Sequence, residues 1–173
     1  LRRRGRRRHA HASARQTPAA GDPRHFGSRV VFAPDGSVFL TTGDRGNRQQ
    51  AQQLHSHIGK VIRLTAEGGI PPDNPFIGRK TAKPEIWSYG HRNPQGLFYN
   101  KDNDSIISTE HGPRGGDEIN INLNVSNEKV NNFGWPISSY GVHYDGVERK
   151  EAPLYKSHSK YGFEEPLKYY TPS

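Results

Sequence analysis

VVFAPDGSVFLTTGDRG (Val30 to Gly46) and GLFYNKDNDSIISTEHG (Gly96 to Gly112) share one layout, 66 residues apart. Each runs from an apolar strand through a turn bearing Asp or Gly into a second apolar strand. Each then closes with an acid two residues before a glycine, Asp44 in the first copy and Glu110 in the second. Pro34-Asp35-Gly36 pairs a preset φ with a permissive glycine, so the first copy predicts a tight hairpin. A repeat of this length built from short strands points to propeller blades. A two-sheet sandwich would predict the strands but not the repeat. On this reading the chain is all-β and holds about two to three blades of a β-propeller, fewer than the four or more that close a ring.

Outward from the repeat, the other strands follow from period-two patterns. Lys60 to Thr65 alternates polar with apolar and stops at Glu67-Gly68-Gly69, Glu85 to Tyr89 is a further strand, and Glu118 to Leu123 alternates charged or amide residues with aliphatics. Arg48 to His57, rich in Gln, predicts a loop with a helical turn.

The chain has 173 residues with a formal charge of +8, 19 Gly, 13 Pro, and neither Cys nor Met. The missing Cys excludes disulfides, thiolate metal sites and a cysteine nucleophile. No apolar run approaches the length of a membrane-spanning helix, and no signal-like stretch follows Leu1. A chain that opens on Leu1 and contains no Met is expected to be a piece of something larger.

The basicity is local. Residues 1–24 carry eight arginines against Asp22 alone, and residues 25–173 are close to neutral. The division expected is therefore a basic, disordered arm over 1–24 and a partial propeller over 25–173. The arm is either a phosphate-binding segment, a solvated tail, or sequence foreign to the natural protein. It has no aromatic residue to stack on bases, which weighs against nucleic acid as a partner, and the neutral body offers nucleic acid nothing.

Three clusters carry chemistry. Gly90-His91-Arg92-Asn93-Pro94-Gln95-Gly96 follows a strand, and its Pro and Gly predict a loop holding a guanidinium and two amides. That set suits a carboxylate-bearing or quinone-like ligand; the competing expectation pairs Arg92 with a neighbouring acid. Glu110-His111-Gly112-Pro113-Arg114-Gly115-Gly116-Asp117-Glu118 permits inward carbonyls and carboxylates of the kind hard cations take. His25, at the mouth of the first hairpin, is a candidate general base. His55 and His57 lack a third ligand nearby and are expected to be solvated loop histidines. There is no Gly-rich phosphate loop and no nucleophile elbow, which argues against nucleotide enzymes and hydrolases of those types.

Together HFGSRVVFAPDGSVFLTTGDRG, IGKVIRL, GGIPPDNPF, GHRNPQG, EHGPRGGDEIN and FGWP resemble, in order, the soluble pyrroloquinoline quinone-dependent aldose sugar and glucose dehydrogenases. The motifs run from about His25 to Tyr144. The resemblance implies a six-bladed propeller that oxidises the anomeric hydroxyl of aldoses to lactones, with hydride passing to pyrroloquinoline quinone and calcium assisting. It implies His25 as catalytic base, with Arg92 stabilising charge on the quinone oxygen. Asn93 and Gln95 join Arg92 around the cofactor, Gly112 and Pro113 hold calcium, and Glu118 and Phe133 belong to a second calcium site. His111 stands where the glucose enzymes have Gln, so glucose itself does not follow. The resemblance further implies an external electron acceptor and a periplasmic or secreted setting. The alternative is a non-catalytic β-propeller that binds a protein or carbohydrate partner, because some relatives of the fold lack the quinone.

Overall fold

The structure, a computed structural model, describes residues 15–17, 21–122 and 130–171. Eight strands form two antiparallel four-stranded sheets, each a simple meander. The first holds β1 (Gly27–Phe32), β2 (Ser37–Thr42), β3 (Lys60–Thr65) and β4 (Ile86–Tyr89). The second holds β5 (Pro94–Asn100), β6 (Ser105–Glu110), β7 (Asp117–Asn122) and β8 (Lys168–Tyr170). These are two propeller blades, and the two repeat copies supply the first two strands of each. Between β2 and β3, Arg48–Gln52 forms a short 3-10 helix.

The predicted hairpin is present. Gly36 sits at φ +85, and Asp35 accepts hydrogen bonds from the Ser37 amide and hydroxyl at 2.8 Å each. Arg63 Nη2 then reaches Asp35 at 2.8 Å while its Nη1 reaches Asp73 at 2.9 Å. The polar members of β3 are therefore buried, against the plain alternation of its sequence. Lys60 is enclosed because its Nζ donates to the carbonyls of Gln50, Ala51 and Ile58, at 3.0, 3.0 and 2.6 Å. Burial pulls its pKa down to about 7, and the three carbonyls offset part of the cost of enclosing the amine.

The blades meet along β1 and β5. Ala33, Phe39, Val61, Trp87 and Ile106 form the buried centre of this seam, with Phe39 edge-on to Trp87 at 5.4 Å. Each large side chain buried here contributes about 1.5–3 kcal/mol. Backbone contacts fix the register of one blade on the other: the Asp44 amide donates to the Arg92 carbonyl at 2.7 Å and Thr41 Oγ1 to the Pro94 carbonyl at 2.9 Å.

Three expectations need correction. The Gly90–Gly96 loop is shorter than its Pro and Gly suggested, because Pro94 already opens β5 and pairs with Glu110. A proline is tolerated at the first position of a strand, where the absent donor costs least, and an irregularity before Gly96 absorbs the mismatch. His57 is buried rather than solvated. It accepts from the Thr17 amide through Nδ1 at 3.2 Å, its own amide donates to the Thr17 carbonyl at 2.8 Å, and its Nε2 lies 3.3 Å from Glu85. In β7 the buried row is polar (Glu118, Asn120 and Asn122), and Ile119 and Ile121 are only half-buried. Leu123, and residues 1–14 and 18–20 of the basic arm, lie outside the described residues.

Candidate active site

The sharp turn that ends β2 creates the site. Gly43 passes so close to His25 that a Cβ there would lie 2.0 Å from the His25 carbonyl oxygen, and His25 itself is held at φ +52. A non-glycine residue in that region is strained, and such strain persists only where the surroundings fix it. Here the fixing group is Asp44, 2% exposed, whose Oδ1 lies 2.6 Å from His25 Nδ1. The Gly46 amide donates to the same oxygen at 2.9 Å, and the indole Nε1 of Trp135 donates to Oδ2 at 2.8 Å. Asp44 accepts at both oxygens, so Nδ1 carries the proton and His25 Nε2 presents a lone pair. That is the arrangement of a positioned general base. Asp44 and Trp135 were missed as functional residues, although the repeat had already marked Asp44 as the acid before a glycine.

His25 faces a cleft of about 110 Å³ whose walls come from both blades. Arg92, Pro113 and Trp135 line it from the second blade and the FGWP segment. The Arg92 guanidinium lies 5.4 Å from the Trp135 ring and donates through Nη1 to the His111 carbonyl at 3.0 Å. Among the described residues it pairs with no acid; the Glu110 carboxylate instead takes the Arg92 backbone amide at 2.7 Å. Arg92 Nε is buried without a partner among the described residues. A buried donor with nothing to donate to fits an anionic or carbonyl-bearing ligand at this wall.

The other expected residues lie behind this wall. Asn93 is buried, and its Oδ1 accepts the Gly27 amide at 3.2 Å. Gln95 sits on a separate recess, with its Oε1 3.2 Å from His111 Nε2. Gly112 cannot carry a side chain, since a Cβ would meet the Gly115 carbonyl at 2.2 Å and the Gly116 carbonyl at 2.4 Å. Gly112, Glu118 and Phe133 line a small recess next to the cleft, together with Glu110 and Arg92. The structure thus brings His25, Arg92 and Pro113 into one cleft and sets Gly112, Glu118 and Phe133 beside it.

The Glu110 and Glu118 carboxylates are both buried and share one donor, Asn120 Nδ2, at 2.8 and 3.3 Å. Burial first, and the Glu110 charge second, push the Glu118 carboxyl well above the usual range. The Oδ1 atoms of Asn120 and Asn122 are buried and unpartnered among the described residues. Two crowded carboxyl groups beside an unpartnered amide oxygen are the kind of oxygen donors a hard cation takes.

A family model described as glucose/sorbosone dehydrogenase matches residues 4–173, reaching into the arm where no motif had been recognised. The aldose sugar dehydrogenase YliI of Escherichia coli (strain K12) is 44% identical over 159 residues, covering 92% of this chain and 41% of that protein. A crystal structure of a glucose dehydrogenase superposes with a TM-score of 0.82 at 44% identity, over 92% of this chain and 44% of its own. The PQQ-bound aldose sugar dehydrogenase of Streptomyces coelicolor aligns with a TM-score of 0.62 at 28% identity, over 86% of this chain and 36% of its own. The chain spans less than half the length of these relatives. No described helix is long and apolar enough to cross a membrane. The chain belongs to the glucose/sorbosone dehydrogenase family.

Proposed function

We propose that this chain forms part of a pyrroloquinoline quinone-dependent aldose dehydrogenase that oxidises the anomeric hydroxyl to a lactone, with hydride transfer to the quinone and calcium assisting. The observation that carries the reading is the His25–Asp44 pair, its Nε2 lone pair opening on a cleft that the partnerless Arg92 Nε also lines. The quinone, when bound, supplies the electron-accepting carbonyl, and calcium polarises it.

The chain's own residues perform the remaining work. His25 Nε2 takes the proton from the anomeric hydroxyl, and Asp44 stabilises the imidazolium that results. Arg92 offers a fixed positive charge to an oxygen bearing negative charge, with no reorganisation needed at the moment of reaction. Asn93 supports it by tying the first blade to the second, and Gln95 by orienting His111. The carbonyls of Gly112 and Pro113 would hold the catalytic calcium, with Glu118 and the Phe133 carbonyl at a second, structural one. Electrons leave to an external acceptor, in a periplasmic or secreted setting.

The test uses the full-length protein supplied with quinone and calcium. It is expected to reduce an artificial acceptor when given aldoses, and His25→Ala to remove most of that rate. Absence of calcium-dependent activity on every aldose would refute the reading. Calcium should also raise the thermal midpoint of the wild type more than that of Glu118→Gln.

A further inference from the structure

We propose that the rim of the His25 cleft recognises an anionic aldose, a hexuronate, with its carboxylate on Arg48 and its ring face on Tyr144. The inference rests on the sugar-oxidation reading above and deepens it by naming the substrate class.

Most polar side chains lining the cleft are already engaged. Arg24 is fork-paired with Asp22 at 3.0 and 2.8 Å, and His143 Nε2 sits 2.7 Å from the Ala152 carbonyl. Asp44 accepts three donors, and Arg92, whose Nε is free among the described residues, stands on the second-blade wall that the reading above gives to the quinone oxygen. Arg48 and Tyr144 remain. Neither the Arg48 guanidinium nor the Tyr144 hydroxyl has a hydrogen bond or ion pair among the described residues, yet both line the cleft. Arg48 is half-buried, so its charge is less screened than that of a fully solvated arginine. It stands on the 3-10 turn that follows Asp44, hence on the first-blade side, with His25. The sugar must lie on that side to deliver its hydroxyl to Nε2.

Tyr144 is 71% exposed but its loop is braced. Val142 and Arg114 exchange two backbone hydrogen bonds at 3.1 Å each, and the neighbouring His143 is buried. A rigid aromatic at a cleft mouth offers a large flat contact at low entropic cost, which suits the C–H face of a pyranose. A hexuronate carries its carboxylate on C5, which shares the ring oxygen with the anomeric carbon. With C1 at His25, that group lies in the same cleft that Arg48 lines, and a guanidinium fork matches it bidentately.

The experiment compares glucuronate with glucose in the full-length, quinone-loaded protein. Expected is a kcat/KM about tenfold or more in favour of glucuronate, from one charge-assisted contact. Arg48→Gln should collapse that ratio while leaving the affinity for quinone, followed by its absorbance, intact. Tyr144→Ala should raise KM for both sugars, and Tyr144→Phe should restore it. A wild type without preference for glucuronate overturns the proposal, as does equal loss on both sugars in Arg48→Gln. Weakened quinone binding in Arg48→Gln also overturns it, by giving Arg48 to the cofactor. If no aldose is oxidised at all, the sugar-oxidation reading fails, and calorimetry of glucuronate binding decides the proposal separately. Binding that Arg48→Gln abolishes sustains it, and no binding refutes it.

Discussion

Asp44→Asn is expected to destabilise the protein by about 1–3 kcal/mol, and Trp135→Phe should make part of that loss disappear. Asp44 Oδ1 receives the Gly46 amide at 2.9 Å and faces His25 Nδ1 at 2.6 Å, whereas Oδ2 receives only the Trp135 indole at 2.8 Å. An asparagine must turn its NH₂ to one side or the other. Turned toward Gly46 and His25 it confronts two donors; turned toward Trp135 it confronts one. The second orientation costs less, keeps His25 in its present tautomer, and sets two N–H groups against each other in a buried site. Each donor left without an acceptor there costs about 1–3 kcal/mol. Alone, Trp135→Phe loses a bond to a buried carboxylate, about 1.5–3 kcal/mol, together with some packing. In the Asp44→Asn background there is no such bond to lose, and the substitution removes one of the clashing donors. The two changes should therefore couple by about 1–3 kcal/mol. Denaturant unfolding of the four full-length proteins completes the cycle. Additivity within about 0.5 kcal/mol would refute the claim that the indole and the carboxylate are directly bonded.

Gly43→Ala should be among the most damaging single-atom changes. The added carbon would lie 2.0 Å from the His25 carbonyl, so thermal unfolding should move down by several degrees; an unchanged midpoint would contradict the close approach. Arg63→Met should lower stability by about 1–2 kcal/mol, discounted because Asp35 and Asp73 are half-exposed at 52% and 65%. A loss near zero in urea unfolding would show that the ion pairs do not brace the hairpin. Burial lowers the His57 pKa below its ordinary 6.5, with Glu85 partly opposing and Lys83 and Lys60 reinforcing. At His57 the unfolded chain then binds more protons than the folded one, so this residue's share of stability should fall as pH drops through 6.5 and stay level above it, while Lys60 adds its own fall from 10.5 down to about 7. His57→Gln should lessen the slope, measured as the difference in unfolding free energy between pH 7.5 and 5.5, with the rest left to the buried His158 and Lys60.

Much of this arrangement was legible in the residues, because period and turn chemistry are local. Pro34-Asp35-Gly36 specifies its turn whatever surrounds it, and the matched copies 66 residues apart specify two blades. The placement of Arg92 was less legible: its composition pointed to a ligand, but the acid expected beside it is spent on the backbone. The burial of Lys60 and His57 could not be read: Lys60 depends on how the 3-10 turn just upstream aims its carbonyls, and His57 on Thr17, far away in sequence. Nor could β7, where the alternation in EININ was visible but not which half of it faces inward. Within the polar row Asn120 Nδ2 ties Glu118 to Glu110 of the neighbouring strand, a tertiary contact that the alternation does not show.

The repeat sets the histidine proposed as base beside a counterpart that is fully engaged. His25 and His91 stand 66 residues apart, as do Asp44 and Glu110, and in both blades the acid grips Nδ1 from 19 residues on. In the second blade His91 Nε2 is consumed by Ser88 Oγ at 2.8 Å, and the ring is fully buried against Phe133 at 4.8 Å. In the first blade the corresponding nitrogen has no protein partner among the described residues and opens on the cleft. The same acid–histidine clamp that knits a blade together becomes a positioned base once its far side is left free. On the proposed reading, function at His25 comes from withholding one hydrogen bond, and a substitution that supplied it would be expected to abolish proton transfer while leaving the fold intact.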